Sequence, residues 1–296
     1  MSLHRSLLAS ACLNLDSCIS NTDLALLCQY VENHVVGSSC GFMDQMTCAH
    51  ARGDHLFSLL CQRTPHPPFH HVTLPSTMQL IGIDSGVKRS TASTAYQRVR
   101  AAAFIGKQMM NLPDSIQHLC ELSPSQFNQL YRSSLPESQR GDDVHSSDHL
   151  DSLSRIDPDG IYPIRAATAH PIEENFRVQL FEQLLTAADQ PSHLGELMFQ
   201  SDAGYASCHL HSMETCLLVD LVRQQQRLSP DLLYGAKITG GGGGGTVAVL
   251  ARNSIKATEA IQTIVDQYET ETRRRTRLFS GSSSGLVAYP PRLFHE

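Results

Sequence analysis

The chain has 296 residues, of which 41% are hydrophobic and 18% are charged, and its formal net charge is −6. This length and apolar content suffice for one large or two ordinary folded domains, and they argue against a disordered chain. The acidic balance disfavours broad binding to nucleic acid or to an anionic membrane surface. Because no apolar run approaches the roughly 18–20 residues that span a bilayer, we also expect no membrane segment.

Nine cysteines occur in the chain, and none of them forms a Cys-x-x-Cys pair. Single cysteines among apolar neighbours are typical of proteins in reducing compartments. Asn14 and Asp16 interrupt the apolar stretch at the N-terminus, as they would not in a secretory signal. The sequence therefore predicts a cytoplasmic protein.

The first half of the chain predicts helices and strands in alternation. Ser20 or Asn21 can cap a helix that should end near residues 34–37, because apolar residues recur between them at helical spacing. The Pro/His-rich stretch at 63–71 excludes regular structure, and Pro113 ends the last helix of this half. The predicted elements are helices at 1–13, 20–37, 42–51 and 96–111, and strands at 55–62, 72–75 and 78–86.

The second half opens with a polar stretch at 133–160, which is rich in Ser and Asp and which we interpret as an exposed insertion. Apolar periodicity then predicts further helices, and strands are expected on both sides of a glycine run. The predicted elements are helices at 171–188, within 193–228 and at 254–268, and strands at 236–238, 246–251 and 285–289. The strands should pair antiparallel, which gives an α+β fold class.

Six consecutive glycines follow Thr239 and end at Gly245. A glycine run is often a flexible linker, but this run is bracketed closely by two strand-like segments. Glycine permits positive φ and a close approach of backbone N–H groups to a ligand, so the loop could cradle a phosphate or support a loop that does. The spacing alone leaves a structural turn and a functional loop as alternatives.

Asp44 stands in an apolar frame, with Phe42 and Met43 before it and Met46 after it. Placing a carboxylate among apolar side chains is unfavourable in free energy, so such a residue is expected to have a structural or functional role. It could cap a helix, or it could act as a general base or as an anchor for a hydroxyl group.

Two further patterns favour no specific function. In Cys-His-Leu-His at 208–211, the two histidines are two residues apart and do not share a helix face, so we predict no metal site. The basic run at 273–277 is more typical of a solvated turn than of a nucleic-acid interface, because the whole chain is acidic.

Several stretches, in the same order along the chain, resemble the galactokinase branch of the GHMP sugar kinases. ENHVVGSSCGFMDQMT at 32–47 resembles the segment that carries the catalytic Asp, and the residues at 82–110 resemble the strand and helix that follow it. GAKITGGGGGGTVAVL at 235–250 resembles the family's third glycine-rich motif. The stretches at 161–178, 195–200 and 280–285 are similar to the arabinokinase group of this branch.

The resemblance implies a two-lobe α+β kinase fold with nucleotide and sugar in the cleft between the lobes. Residues 1–75 would be the remnant of an N-terminal lobe, and residues 76–296 the C-terminal lobe with the 133–160 insertion. The implied reaction is ATP-dependent phosphorylation of the anomeric hydroxyl of L-arabinose or D-galactose, with Mg²⁺. The implied partners are the small-molecule sugar and ATP, without nucleic acid or membrane.

The resemblance also assigns site residues at matched positions. Asp44 occupies the position of the catalytic carboxylate, where it would take the proton of the attacking hydroxyl or orient that hydroxyl. Gly41 lies where the family's backbone approaches the sugar, and Tyr96 lies where a tyrosine lines the sugar pocket. The positions implied to contact the nucleotide are Gly240, Gly241, Gly242 and Gly243.

The sequence departs from the family pattern in two ways. The family's early Arg and Glu-His motif and its phosphate-binding loop would precede the helix at 1–13, so we expect an incomplete N-terminal lobe. In HLHSMETC at 209–216, His209 and His211 stand for glycines and Cys216 stands for an acidic residue. Because one preorganised donor is typically worth about 10²–10³ in rate, the chain could be an inactive fragment. The alternative is a non-catalytic sugar- or partner-binding relative of galactokinase.

Overall fold

The computed structural model describes residues 19–288, except 39, 63, 65, 89–93, 145–155 and 188–189. The chain divides into two compact units: the first unit comprises residues 1–74 and 281–296, and the second unit comprises residues 75–280. The contacts thus group the C-terminal residues with the first unit, whereas the predicted lobes are 1–75 and 76–296. The predicted helix at 1–13 lies outside the described residues.

The first unit combines two helices with a β-hairpin. Its described elements are α1 (Asn21–Val31), a π-helical turn (Glu32–Val36), α2 (Met43–His50), β1 (His55–Leu59), β2 (Phe69–Thr73) and a 3-10 turn (Leu286–Ala288). Ser20 caps α1 as predicted, because its hydroxyl accepts the backbone N–H of Asp23 at 3.1 Å. A small apolar core joins the helices to the hairpin, and its buried members are Ala25, Phe42, Met46 and Ala49.

Strand β2 begins earlier than the sequence predicts. Phe69, His70 and His71 were expected in a loop without regular structure, but they pair antiparallel with β1. The aromatic ring of Phe69 lies 5.2 Å from that of Phe57 on the partner strand. Cross-strand aromatic packing therefore outweighs the preceding prolines, which lie just before the strand.

The second unit contains a four-stranded antiparallel sheet with the strand order β6-β7-β3-β8. Its described elements are β3 (Met78–Asp84), α3 (Thr94–Met109), α4 (Pro124–Leu130), β4 (Gln139–Arg140), β5 (Ile161–Tyr162), α5 (Ile164–Ala187), α6 (Pro191–Ser207), α7 (Met213–Leu228), β6 (Leu233–Ile238), β7 (Thr246–Arg252), α8 (Ile255–Thr272) and β8 (Leu278–Phe279). Two 3-10 turns, Leu119–Glu121 and Gly141–Asp143, complete the described part of this unit.

Two apolar cores hold the second unit together. Side chains of α6, α7 and α8 pack on the sheet, and the buried residues of α7 recur at helical spacing, as Leu218, Leu221 and Val222 illustrate. A separate core joins α3, α4 and α5 around the fully buried Phe127 and Tyr162. The sheet and its helices fix both ends of the glycine run, because the run connects the adjacent strands β6 and β7.

Three predicted elements of the second unit differ from the structure. Helix α5 begins at Ile164 and contains Pro171, which was predicted to be its first residue. The described flanks of the 133–160 stretch are ordered, since Leu135 is buried and Gly141 donates its N–H to the carbonyl of Gly160 at 2.9 Å. The middle of that stretch lies outside the described residues.

The C-terminal strand also differs from the prediction. Residues 286–288 form a 3-10 turn, and the strand lies earlier, where Phe279 pairs with Gly82 of β3. Every described strand pairing is antiparallel, so the α+β class is confirmed. None of the described helices is both long enough and apolar enough to span a bilayer.

Candidate active site

Asp44 lies in the first turn of α2, and its side chain is exposed. Phe42 and Met46 flank it and are buried in the core of the first unit, so they hold the helix while the carboxylate stays in solvent. The N-cap residue is Phe42, and no side chain in the described chain makes a cap hydrogen bond there. Asp44 is therefore not a helix cap, and its charge is favoured by the N-terminal end of the helix dipole.

The turn before Asp44 is held by polar side chains of the preceding helix. Asn33 accepts the backbone N–H of Cys40 at 3.0 Å, and Gln29 donates to the carbonyl of Cys40 at 3.1 Å. Gln45 donates to the carboxylate of Glu32 at 2.5 Å. Because Asn33 and Gln45 are themselves buried, these bonds fix the backbone that leads into α2.

Gly41 lies in this turn with open space beside it. A Cβ at this position would meet no heavy atom within 4 Å, and its φ is not in the left-handed region. Neither the backbone conformation nor a protein neighbour requires glycine here. The small residue instead leaves the surface next to Asp44 uncovered.

Tyr96 and the glycine run lie together in the second unit. Tyr96 is in the first turns of α3, and a Cβ at Gly241 would lie 3.0 Å from its ring. The structure thus brings together two of the predicted site positions. Asp44 and Gly41 belong to the first unit, and Tyr96 and Gly240–Gly243 belong to the second.

The glycine run is a tightly held connection, so the linker interpretation is wrong. Tyr205 donates its hydroxyl to the carbonyl of Gly240 at 2.8 Å, and Gly243 donates its N–H to the carbonyl of Leu210 at 2.6 Å. Further along, Gly245 donates to the carbonyl of Val87 at 3.0 Å. Several of the N–H and C=O groups of the loop are therefore already used to fasten it to α6, to the α6–α7 junction and to the segment after β3.

A partly buried charged cluster lies near this loop. Glu174 on α5 accepts from the Ser201 hydroxyl at 2.5 Å and from Nε of Arg177 at 2.9 Å, and it lies 3.6 Å from Nζ of Lys237. Burial pushes the pKa of Glu174 upward, but Lys237, Ser201 and Arg177 outweigh burial, so its pKa lies below the usual range. These partners keep Glu174 ionised beside Lys237, which lies on β6 shortly before the glycine run.

His170 joins this cluster to the loop through an aromatic contact. Its ring lies edge-on to that of Tyr205, with centroids 4.9 Å apart, and Tyr205 holds Gly240. Burial lowers the pKa of His170, and the nearby cations of Arg177 and Lys237 lower it further against the opposing effect of Glu174. His170 is therefore neutral at pH 7.

The sequence reasoning missed this cluster and the side chains that hold the turn before Asp44. The sequence contains one signal for the side chains that hold the turn. The polar residue Gln29 interrupts the apolar stripe of α1, and the polar residue Asn33 follows it. The members of the cluster come from α5, α6 and β6, and no single stretch of sequence brings them together.

A cavity of about 700 Å³ opens in the second unit between α3, α5 and α6. Arg98 and Arg165 line it, but Arg98 pairs with Asp157 at 2.6 Å and Arg165 donates to the carbonyl of Leu135 at 2.7 Å. Tyr96 and the glycine run do not line this cavity. The guanidinium groups of Arg98 and Arg165 are therefore bonded to protein groups of the cavity wall.

No group of three or more His, Cys, Asp or Glu side chains in the described ranges is arranged to hold a metal ion. Of the two histidines in the Cys-His-Leu-His pattern, His209 is exposed and adopts a positive φ of 57°, a conformation that favours glycine. This agrees with the substitution of His209 for a glycine that the sequence comparison with the family implies.

Comparison with known proteins finds relatives of this chain. No protein-family model matches the chain. The L-arabinokinase of Arabidopsis thaliana is 36% identical over 307 aligned positions, which cover 90% of this chain and 29% of that protein. The galactokinase of Roseiflexus sp. (strain RS-1) is 30% identical over 80% of this chain and 53% of its own length. The galactokinase of Chloroflexus aurantiacus is 29% identical over 86% and 56%. The chain is a homologue of L-arabinokinase and galactokinase, which are GHMP kinases.

The fold agrees with this relationship. The structure of Lactococcus lactis galactokinase complexed with galactose superimposes with a TM-score of 0.71 at 19% identity, over 96% of this chain and 64% of that one. This similarity confirms the predicted GHMP kinase fold for this α+β chain. The chain spans less than a third of the L-arabinokinase and little more than half of the galactokinases that it matches.

Proposed function

We propose that the chain belongs to a sugar kinase that transfers the γ-phosphoryl group of ATP to the anomeric hydroxyl of L-arabinose or D-galactose. The observation that carries the proposal is the exposed carboxylate of Asp44 on a fixed turn beside the open surface at Gly41. Its homology to L-arabinokinase and to galactokinases supports a phosphotransferase with an alcohol acceptor.

In this proposal Asp44 acts on the attacking hydroxyl. The anomeric O–H loses its proton to the carboxylate, a bond forms between that oxygen and the γ-phosphorus, and the bond to the bridging oxygen of ADP breaks. Phosphoryl transfer depends mainly on positioning and charge stabilisation, so one well-placed carboxylate suits the task. Asn33 and Gln29 support the role of Asp44, because they hold the backbone of Cys40 before α2.

Gly41 would allow the sugar to approach the backbone, and Tyr96 would line the sugar pocket. Gly240, Gly241, Gly242 and Gly243 would support the nucleotide. Because the N–H of Gly243 already donates to Leu210, we assign this loop a shaping role rather than a full set of donors to phosphate.

Kinase chemistry implies Mg²⁺ together with ATP. The described residues offer no cluster of three or more ligands for a metal ion. Mg²⁺ often binds through substrate phosphates with only one or two carboxylates, so we assign the ion to the nucleotide and derive no step through it. Bound there, it would neutralise charge on the transferring phosphoryl group.

We also propose a cytoplasmic location. None of the seven cysteines in the described part of the chain forms a disulfide, which is the pattern of a reducing compartment.

A second candidate is a sugar- or partner-binding protein without turnover. It is favoured by the engaged N–H of Gly243 and by the HLHSMETC segment, in which Cys216 stands where relatives carry an acidic residue. In this case Asp44 and Gly41 would still bind a sugar hydroxyl.

The test is a coupled ATP-consumption assay on the 296-residue chain with Mg²⁺, L-arabinose, D-galactose and a panel of pentoses. Asp44→Asn should lower sugar-dependent turnover by about 10²–10⁴-fold, the usual contribution of a general base. Asp23→Asn is the matched control, because Asp23 is also a carboxylate in the first turn of a helix of the first unit. It should leave turnover within about twofold.

Equal turnover in the Asp44→Asn chain would overturn the proposed role of Asp44. If no turnover occurs but L-arabinose or D-galactose raises the midpoint of thermal unfolding, the chain by itself binds the sugar without turnover, as the second candidate requires. If neither sugar changes ATP consumption or the midpoint, the chain by itself neither phosphorylates nor binds these sugars, which overturns the second candidate.

A further inference from the structure

Three side chains form a Cys-His-Asp arrangement at the junction between α6 and α7. Nδ1 of His211 lies 3.0 Å from Sγ of Cys216, and Nε2 of His211 lies 3.3 Å from Oδ1 of Asp202. The two ring nitrogens of one histidine thus face a thiol on one side and a carboxylate on the other. A nucleophile next to a base that is itself oriented by a third group is the general pattern of an activated nucleophile.

The burial of the three groups suits this pattern. The side chains of Asp202 and His211 are only 7% and 10% exposed, whereas Cys216 is partly exposed. Asp202 is fixed in turn, because its Oδ1 accepts the backbone N–H of Ile238 at 3.0 Å. Asp202 is therefore held in place, and Cys216 remains partly exposed.

The positions of the protons follow from the charges. The carboxylate of Asp202 favours the proton of His211 on Nε2, although the two atoms are not aligned for a hydrogen bond. Nδ1 is then the acceptor, and the thiol of Cys216 donates to it. His211 is thus placed to take the thiol proton at the moment of attack.

The charges that face Cys216 make this base necessary. Burial and the carboxylates of Asp202 and Asp220 raise the pKa of the Cys216 thiol. The sulfur carries its proton at pH 7 and is weakly nucleophilic unless a neighbouring group removes that proton.

We propose that Cys216 is a modification site that reacts with low-molecular-weight disulfides such as glutathione disulfide, with His211 as the base and Asp202 as a positioning residue. Sγ of Cys216 attacks one sulfur of the disulfide and transfers its proton to His211. A mixed disulfide forms, the S–S bond of the reagent breaks, and the departing thiolate takes up a proton. The electrons balance, because the sulfur of Cys216 is oxidised to the disulfide level while the departing sulfur of the reagent is reduced to a thiol.

The site adjoins the glycine run through Leu210, which directly precedes His211. The carbonyl of Leu210 accepts the N–H of Gly243 at 2.6 Å. An adduct on Cys216 would replace the thiol that contacts His211, and His211 directly follows the residue that fastens the loop. This consequence is independent of the proposed kinase activity, because it concerns the chain's own packing.

The test measures the rate of glutathionylation at each cysteine of the 296-residue chain at pH 7 by peptide mapping. Cys48 and Cys61 are exposed references in the first unit. Cys208 is the matched inert thiol, because burial, with a smaller effect of Glu173, raises its pKa to about 12 and it is 1% exposed. Cys216 should react at least about 10-fold faster than Cys208.

Two variants distinguish activation of Cys216 by His211 from simple exposure of the Cys216 thiol. His211→Asn should lower the rate at Cys216 by about 10-fold or more while the rates at Cys48 and Cys61 stay unchanged. Asp202→Asn keeps an acceptor for the N–H of Ile238 but removes a carboxylate that raises the pKa of the Cys216 thiol. It should move the midpoint of the rate-against-pH curve of Cys216 to lower pH.

The proposal is overturned if Cys216 reacts no faster than Cys208. It is also overturned if Asp202→Asn, which preserves the backbone hydrogen bond, leaves both the rate and its pH midpoint at Cys216 unchanged. If Cys208 reacts with the reagent in the His211→Asn variant, that substitution has opened the fold and its rate at Cys216 is not used. The pH midpoint of Cys216 in Asp202→Asn then decides whether the proposal stands.

Discussion

Gly242 and Gly243 offer a controlled test of how the glycine run is held. Both have φ in the left-handed region, at 80° and 75°. A Cβ at Gly242 would lie 2.4 Å from the carbonyl oxygen and 2.7 Å from Cβ of Leu210, whereas a Cβ at Gly243 would meet nothing within 4 Å. Alanine at each position therefore imposes the same backbone strain but a very different steric cost.

The magnitudes follow from these contacts. An L-residue in the left-handed region costs roughly 1–2 kcal/mol. The overlap at Gly242 involves backbone and Cβ atoms of Leu210, which cannot rotate away, and overpacking of this kind costs about 1–3 kcal/mol more. Gly243→Ala should thus lower the free energy of unfolding by roughly 1–2 kcal/mol, and Gly242→Ala by roughly 2–5 kcal/mol.

Urea unfolding and thermal unfolding of both variants measure the difference. For a unit of this size, 1 kcal/mol corresponds to about 2–4 °C in the unfolding midpoint, so the two variants should differ by at least about 2 °C. The native chain serves as reference, and the urea m-value should stay constant. Equal destabilisation of the two variants would refute the close packing of the loop against Leu210.

Two other predictions concern the partly buried charged cluster near the loop. Glu174→Gln should lower the free energy of unfolding by about 2–3 kcal/mol, because it weakens charge-assisted hydrogen bonds and removes the ion pair of Lys237, whereas Arg177 keeps Glu173. Glu259→Gln on the exposed face of α8 is the control, and a similar loss there in urea unfolding would contradict the assignment. Burial lowers the pKa of His170 below the ordinary histidine value of 6.5, so the contribution of His170 to stability is present above about pH 6.5 and is lost as the pH falls. His170→Gln should flatten the fall in unfolding midpoint below pH 6.5, and an unchanged slope would contradict this.

Local sequence signals predict most of the elements around the site. The cap at Ser20, the short helix that carries Asp44 and the strands around the glycine run all follow from capping residues, apolar periodicity and bracketing, and the structure has them. The ordered set of motifs also predicts the resemblance to sugar kinases, and homology to L-arabinokinase confirms that resemblance.

Other elements depend on tertiary contacts that local signals do not contain. Pro171 is typical of a helix start, yet α5 begins at Ile164, because Ile164, Ala167 and Ile172 are all buried at helical spacing. Leu278 and Phe279 form the edge strand because β3 offers them a partner. A single sequence does not reveal which distant strand supplies such a partner.

The site divides in the same way. Asp44, Gly41, Tyr96 and the glycine run could be assigned by resemblance, and their catalytic and binding roles stay predictions. The hydrogen bonds that fasten the glycine run, and the Cys216–His211–Asp202 arrangement, join residues from separate elements. Their recognition required coordinates, because each partner has an ordinary local context.

The central place of β3 in the sheet has a consequence for synthesis of the chain. Its seven residues, Met78–Asp84, pair with β7 at Thr246–Arg252, so the two strands are separated by more than 160 residues. At a synthesis rate of roughly 5–20 residues per second, β3 leaves the ribosome on the order of ten seconds or more before its partner exists. During that interval an apolar strand with two unpaired edges is exposed to other nascent chains. The sheet of the second unit therefore forms only after β7 emerges, and the long separation of its central strands makes that step slow.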